Sequence, residues 1–149
     1  MVFDEGLYDP ANEPDIAYAH LFSYFKGEEW RTQKETQRLL DKYFTTKPDG
    51  IPGMMTQVRC LHGLFQYDRF YPDCPGLPEY ALTTPVFNKV TIRLDPKWYK
   101  ENELVIESNR TGSETLYINK VLLDGKKFNK YRITHDELVH GKRLIFDLK

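Results

Sequence analysis

The spacing of apolar and polar positions changes period once along this chain, near residue 80. Upstream the period is helical. In "EPDIAYAHLFSYF" (13–25), Ile16, Ala19, His20 and the stretch Phe22–Phe25 fall on one broad face. Pro14 suits a first helical turn, and Asn12 suits the cap before it. "EEWRTQKETQRLLDKYF" (28–44) is the clearest helix, with Trp30, Gln33, Gln37, Leu40 and Phe44 on a stripe and charges on the other faces. Gly27 separates the two segments, which predicts an antiparallel helical hairpin, and "KPDG" (47–50) ends the second helix.

After Pro85 the period becomes two. "VFNKVTIRL" (86–94), "ELVIES" (103–108), "TLYINKVLL" (115–123), "NKYRIT" (129–134) and "RLIFDL" (143–148) alternate apolar and polar residues. Asp124-Gly125 marks a tight hairpin. Thr134 with Glu137 forms a capping box, so a helical turn is expected ahead of the last strand. The expected class is α+β, helices first and a small antiparallel sheet after. Five short strands and two helices, each with an apolar face left over, read as pieces of something larger.

Composition narrows the function classes. A net charge of −1 lacks the clustered excess of Lys and Arg that nucleic acid or an anionic membrane requires, and neither is an expected partner. No apolar run is long enough to span a bilayer. "MVFDEGLYDP" has no basic n-region or apolar h-region, so no signal peptide is expected. Cys60 and Cys74 lack a CxxC spacing and read as small buried hydrophobes.

Four stretches, taken together and in order, are highly specific: "YDPANEPDIAYAHLFSYFKGEEWRTQ" (8–33), "TKPDGIPG" (46–53), "FYPDCPGLPEY" (70–80) and "TTPVFNKVTIRL" (83–94). They resemble the C-terminal end of glycoside hydrolase family 92, the calcium-dependent, inverting α-mannosidases. The resemblance implies an N-terminal β-sandwich, then an (α/α)₆ barrel, then strands. This chain would supply the terminal helices of the (α/α)₆ barrel (1–79) and the C-terminal antiparallel strands (80–149). It also implies hydrolysis of α-mannosides in mannose-rich glycans by a secreted or periplasmic parent, and it makes the missing N-terminal part of the enzyme a candidate partner. The alternative is a non-catalytic carbohydrate-binding or docking module of a split enzyme.

One segment departs from the family pattern. After Pro-Gly, members read Asn-Asp-Asp, a small residue, Gly, Gln or Thr, Met-Ser, a small residue or two and Trp, and the aspartates are the family's general base. Here Gly53 is followed by "MMTQVRCLHG" (54–63). Asn-Asp-Asp-Thr-Gly-Thr-Met-Ser-Ala-Trp written as AAT GAT GAC ACA GGT ACG ATG TCT GCA TGG, less its first base, reads Met-Met-Thr-Gln-Val-Arg-Cys-Leu-His-Gly, identical to Met54–Gly63. Residues 54–69 therefore read as a frameshifted version of the base-bearing segment, with the frame regained before Phe70.

An inverting glycosidase needs an acid and a base carboxyl on opposite faces of the sugar, about 6.5–9.5 Å apart. The resemblance places the acid upstream of Met1 and the base in the overwritten segment, so no catalytic residue is expected in this chain. Asp68 is displaced by more than a helical turn from the base position. Cys60 and His62, two apart on a helix, point in different directions. By resemblance, Asn12 and Glu13 line the sugar subsite next to Ca²⁺, with Glu13 toward the metal, as hard oxygen ligands suit that ion. By local chemistry alone they are a helix cap and a first-turn acid. Trp30 is either a substrate-binding aromatic platform or a helix-packing residue, and Gln33 shares the family motif with it.

Overall fold

The computed structural model describes residues 5–9, 12–45, 47, 50, 70–72, 74, 76–112 and 115–149, and the side chains of Glu13 and Ile16 fall outside that description. The run 54–69, with Cys60, His62 and Asp68, lies outside the described residues. In chain order the elements are α1 (Glu13–Ile16), a 3₁₀ helix (Tyr18–Tyr24), α2 (Glu29–Tyr43), β1 (Phe70–Tyr71), β2 (Glu79–Leu82), β3 (Lys89–Arg93), β4 (Glu103–Arg110), β5 (Ile118–Leu123), β6 (Lys126–Phe128), β7 (Arg132–Thr134), α3 (His135–His140) and β8 (Arg143–Leu148). The class is α+β, with the helical hairpin first. No helix among the described residues is long and apolar enough to cross a membrane.

The strands form two sheets, of order β1-β2-β7 and β3-β4-β8-β5-β6. Among the described residues all pairings are antiparallel except one: β4 and β8 run parallel, Ile106 opposite Leu144 and Ser108 opposite Phe146. Because side chains alternate along a strand, that register sends Leu104, Ile106, Leu144, Phe146 and Leu148 to one face. They meet Ile118 and Val121 of β5, Leu138 of α3, and Phe70, Leu82 and Ile133 of the smaller sheet in a single core. Asp124 and Gly125 both take positive φ, 51° and 79°, as a tight β5–β6 hairpin demands. The Asp124 carboxylate also accepts the N–H groups of Lys142 and Arg143, each at 2.9 Å, which fixes the hairpin to the start of β8. Thr134 and Glu137 close the expected capping box over α3.

Two helical expectations are corrected. The segment after α1 is a 3₁₀ helix, with three residues per turn. Its buried positions are Ala19, His20 and Ser23, while Tyr24 and Phe25 are exposed rather than on the core face. The buried side of α2 is Thr32, Gln33, Thr36, Leu39 and Leu40, rotated from the expected stripe so that Trp30 is exposed. Thr36 is tolerated on that buried face because its hydroxyl bonds its own helix: Thr36 Oγ1 donates to the Thr32 carbonyl at 2.7 Å. Gly27 supplies the turn between the two segments with φ +89°.

Among the described residues, side-chain contacts join the helical layer to the sheets. Gln33 Oε1 accepts the backbone N–H of Ile118 at 2.9 Å, with both groups buried. Arg132 on β7 donates to Ser23 Oγ at 3.0 Å and to the Tyr24 hydroxyl at 3.3 Å, and it pairs with Glu79 of β2 at 3.3 Å. The His20 ring stacks on Tyr71 of β1, with centroids 4.0 Å apart.

Candidate functional site

The loop into α1 is organised by a residue that the sequence pattern does not single out. Asp15 is buried, and its two carboxylate oxygens accept from the Asp9 N–H at 2.9 Å and from Asn12 Nδ2 at 3.0 Å. The Asn12 N–H donates to the Asp9 carbonyl, and the Asp15 N–H to the Asn12 carbonyl. Asn12 is the N-cap residue, with extended backbone, but its side chain accepts no capping hydrogen bond. Asn12 is exposed, and its amide nitrogen donates to the buried Asp15. Glu13 opens the helix, and Pro14 follows in its first turn. Beneath this loop Tyr8 is buried, and burial first, then the Asp15 charge, hold its hydroxyl well above the usual tyrosine range.

Trp30 stands in the first turn of α2 with 43% of its surface exposed. Its ring meets Tyr117 edge-on at 6.5 Å, and the Arg31 guanidinium lies 5.5 Å from it and 5.7 Å from Phe22. Trp30, Gln33, Tyr117, Ile118, Tyr131 and Lys149 line a depression of about 310 Å³. Burial, and then the Glu29 charge, push the Tyr131 hydroxyl up. The structure thus brings Trp30 and Gln33 to one depression, whose lining does not include Asn12. Within it Gln33 uses its carbonyl oxygen to hold Ile118, a structural duty.

A groove over β4 and β8 that carries three glutamates has the wrong electrostatics for a catalytic acid. Lys89, Glu101, Glu103, Glu107, Lys142 and Arg143 line it, but Arg143 bonds Glu107, Lys89 approaches Glu107 at 3.6 Å, and Lys142 pairs with Glu101 at 3.5 Å. The Arg143 hydrogen bond holds the Glu107 carboxyl below its ordinary value, whereas a general acid needs its carboxyl raised. Among the described residues no group of three His, Cys, Asp or Glu side chains is placed to hold a metal ion. Cys74 is a free, half-buried thiol.

Comparison with known proteins gives one consistent result. The model of the glycosyl hydrolase family 92 catalytic domain matches residues 2–149. Among solved structures, a family 92 α-mannosidase from Bacteroides thetaiotaomicron is similar with a TM-score of 0.82 at 26% identity, over 97% of this chain and 19% of that one. The same mannosidase in complex with mannoimidazole gives a TM-score of 0.81 at 25% identity, over 95% and 18%. An inverting mannosidase of the family from the same organism is 33% identical with a TM-score of 0.68, over 81% of this chain and 16% of that one. The chain therefore spans less than a fifth of the length of these relatives. No curated protein sequence matches at a significant level.

Proposed function

The chain belongs to glycosyl hydrolase family 92, and on that premise we propose that it is one portion of an inverting α-mannosidase, without activity as this 149-residue chain. The observation that carries the reading is the family match across residues 2–149, joined to the departure from the family pattern that begins at Met54. Inversion needs one carboxyl to protonate the leaving oxygen and a second to activate water from the opposite side. The overwritten segment holds no Asn-Asp-Asp, so the second carboxyl has no source in this chain.

The remaining sugar-facing contribution is the loop at Asn12 and Glu13, held in shape by Asp15. The described residues do not by themselves fit a calcium shell. Ca²⁺ takes six to eight oxygen ligands, and both oxygens of Asp15 are already engaged within the loop. In this reading Glu13 and the Asn12 carbonyl oxygen contribute at most part of the shell, and no chemical step is routed through the ion. The substrate is a mannose-rich glycan met outside the cytoplasm by the full enzyme.

The test is mannose release from α-mannosides by the purified chain, with and without a calcium chelator. No release is expected in either arm, and release by the chain alone contradicts the reading. A second reading, a non-catalytic carbohydrate-binding module, draws on the aromatic depression around Trp30. Sugar faces stack on exposed indoles, so that reading requires manno-oligosaccharides to quench Trp30 fluorescence in a Trp98→Phe background.

A further inference from the structure

The depression around Trp30 presents hydrogen-bond donors that this chain leaves unengaged. Its walls are fixed from behind. Tyr117 and Lys149 exchange backbone hydrogen bonds at 3.0 and 2.9 Å, and Gln33 accepts the Ile118 N–H through Oε1 at 2.9 Å. That last contact settles which way the Gln33 amide lies. An N–H donor must face the carbonyl oxygen, so Nε2 is turned away from Ile118. Gln33 is 2% exposed and lines the depression. Among the described residues nothing accepts from its Nε2, nor from the Tyr131 hydroxyl. Burial holds that hydroxyl in its protonated, donating form. A buried amide with no acceptor is a costly arrangement that a bound acceptor relieves. No acidic side chain among the described residues lines the depression to serve as that acceptor.

We propose that the depression binds a 2-acetamido pyranose residue, its carbonyl oxygen on Gln33 Nε2, its methyl group against Trp30 and Tyr117, and a neighbouring ring oxygen substituent on Tyr131. The inference rests on the second reading above, that this depression holds carbohydrate, and adds which sugar it selects. Size admits one ring: about 310 Å³ is at the small end of ligand pockets. Chemistry selects the acetamido group. The buried donor is a neutral amide, which pairs with a neutral carbonyl without the cost of stripping water from a charge. The charged groups beside Trp30 are already engaged, Arg31 with Glu28 at 2.6 Å and Glu29 with the Gly27 N–H at 2.8 Å. Lys149 is exposed, where an ammonium adds little to the binding of a carboxylate. The half-exposed indole and the Tyr117 ring, edge-on to it at 6.5 Å, give the methyl group an apolar wall that a plain hexose leaves unused.

The test uses the 149-residue chain in a Trp98→Phe background, so that fluorescence quenching reports Trp30. Methyl N-acetylglucosaminide, methyl α-mannoside and methyl glucuronide are titrated in turn. The acetamido sugar is expected to half-saturate at a concentration at least tenfold below the other two. Saturation-transfer NMR is expected to place its acetyl methyl protons nearest the chain. Gln33→Glu keeps an acceptor for Ile118 but, once ionised, has no proton to donate, and is expected to weaken binding at least tenfold at about pH 8. Tyr131→Phe keeps the ring and is expected to weaken binding severalfold. Far-ultraviolet circular dichroism matching the parent shows that lost binding is not lost folding. Where Gln33→Glu fails that check, Tyr131→Phe and the NMR contact decide. The proposal is overturned by no quenching with the acetamido sugar, by equal or tighter binding of the mannoside or glucuronide, or by an acetyl methyl that receives no saturation. Binding of the mannoside alone overturns the acetamido selection and leaves the carbohydrate reading standing, whereas no binding of any of the three overturns both.

Discussion

Replacing Gln33 by Met isolates the contact that fixes α2 to the larger sheet. The β5–β8 ladder is irregular between Ile118 and Lys120. At that irregularity the Ile118 N–H turns to Gln33 Oε1, at 2.9 Å, rather than to a strand. Gln33 and Ile118 are 2% and 5% exposed, so water does not replace a lost acceptor. Met keeps the length of the side chain and its apolar stem but accepts no hydrogen bond of comparable strength. Stranding a buried N–H costs about 1–3 kcal/mol. For a chain of this size each kcal/mol lowers Tm by roughly 2–4 °C, so Gln33→Met is expected to lower it by about 2–12 °C. The assay is urea unfolding of the parent and variant in Trp98→Phe and Trp30→Phe backgrounds, so that Trp30 reports α2 and Trp98 the sheet. If Gln33 joins the layers, the Trp30 transition moves to lower urea and separates from that of Trp98. A midpoint change worth less than about 0.5 kcal/mol, the range of ordinary surface substitutions, would refute the reasoning.

Other outcomes follow from single contacts. Arg132→Ala removes the donors to Ser23 and Tyr24 and the ion pair to the part-exposed Glu79. Surface pairing contributes little, so the expected loss is about 1–2 kcal/mol, mostly from the hydrogen bonds. Arg132→Lys is expected to restore only part of it, since one ammonium cannot reach three partners as a fork does. Hydrogen exchange should quicken first in Tyr18–Tyr24. Glu137 is held below its ordinary carboxyl value, chiefly by the Thr134 N–H. A folded-state value below the unfolded one stabilises above the unfolded pKa and is lost as pH falls through the folded one. Glu137→Gln is therefore expected to flatten the fall in stability below about pH 4.5, measured as Tm against pH. Gly125→Ala places a side chain at φ +79° and is expected to cost about 1–2 kcal/mol in urea unfolding.

Much of this fold was legible because strand alternation and turn chemistry act locally. Val90 and Ile92, Leu104 and Ile106, and Leu144 and Phe146 announce their strands by period. Asp124-Gly125 announces its hairpin, and Thr134 with Glu137 announces α3. The pattern was silent where tertiary contacts decide. Phe70–Tyr71 and Glu79–Leu82 are too short to show a period, and they become strands by pairing with each other and, for Glu79–Leu82, with Arg132–Thr134. The parallel β4–β8 pairing joins segments more than 30 residues apart and leaves no local mark. Thr32 and Thr36 look solvent-facing by residue type, yet are buried, Thr36 with its hydroxyl returned to the helix backbone. Around the candidate site, Asn12 drew attention as a cap. Asp15, three residues on, does the organising, and an acidic residue in a first helical turn is too common to stand out.

The account depends most on residues 54–63 being the water-activating segment of the family read in the wrong frame. Sequencing the DNA that encodes them tests this directly. The account predicts that one base restored ahead of codon 54 spells Asn-Asp-Asp, a small residue, Gly, a residue, Met-Ser, a small residue and Trp. Codons that spell no paired aspartates in either alternative frame would contradict it.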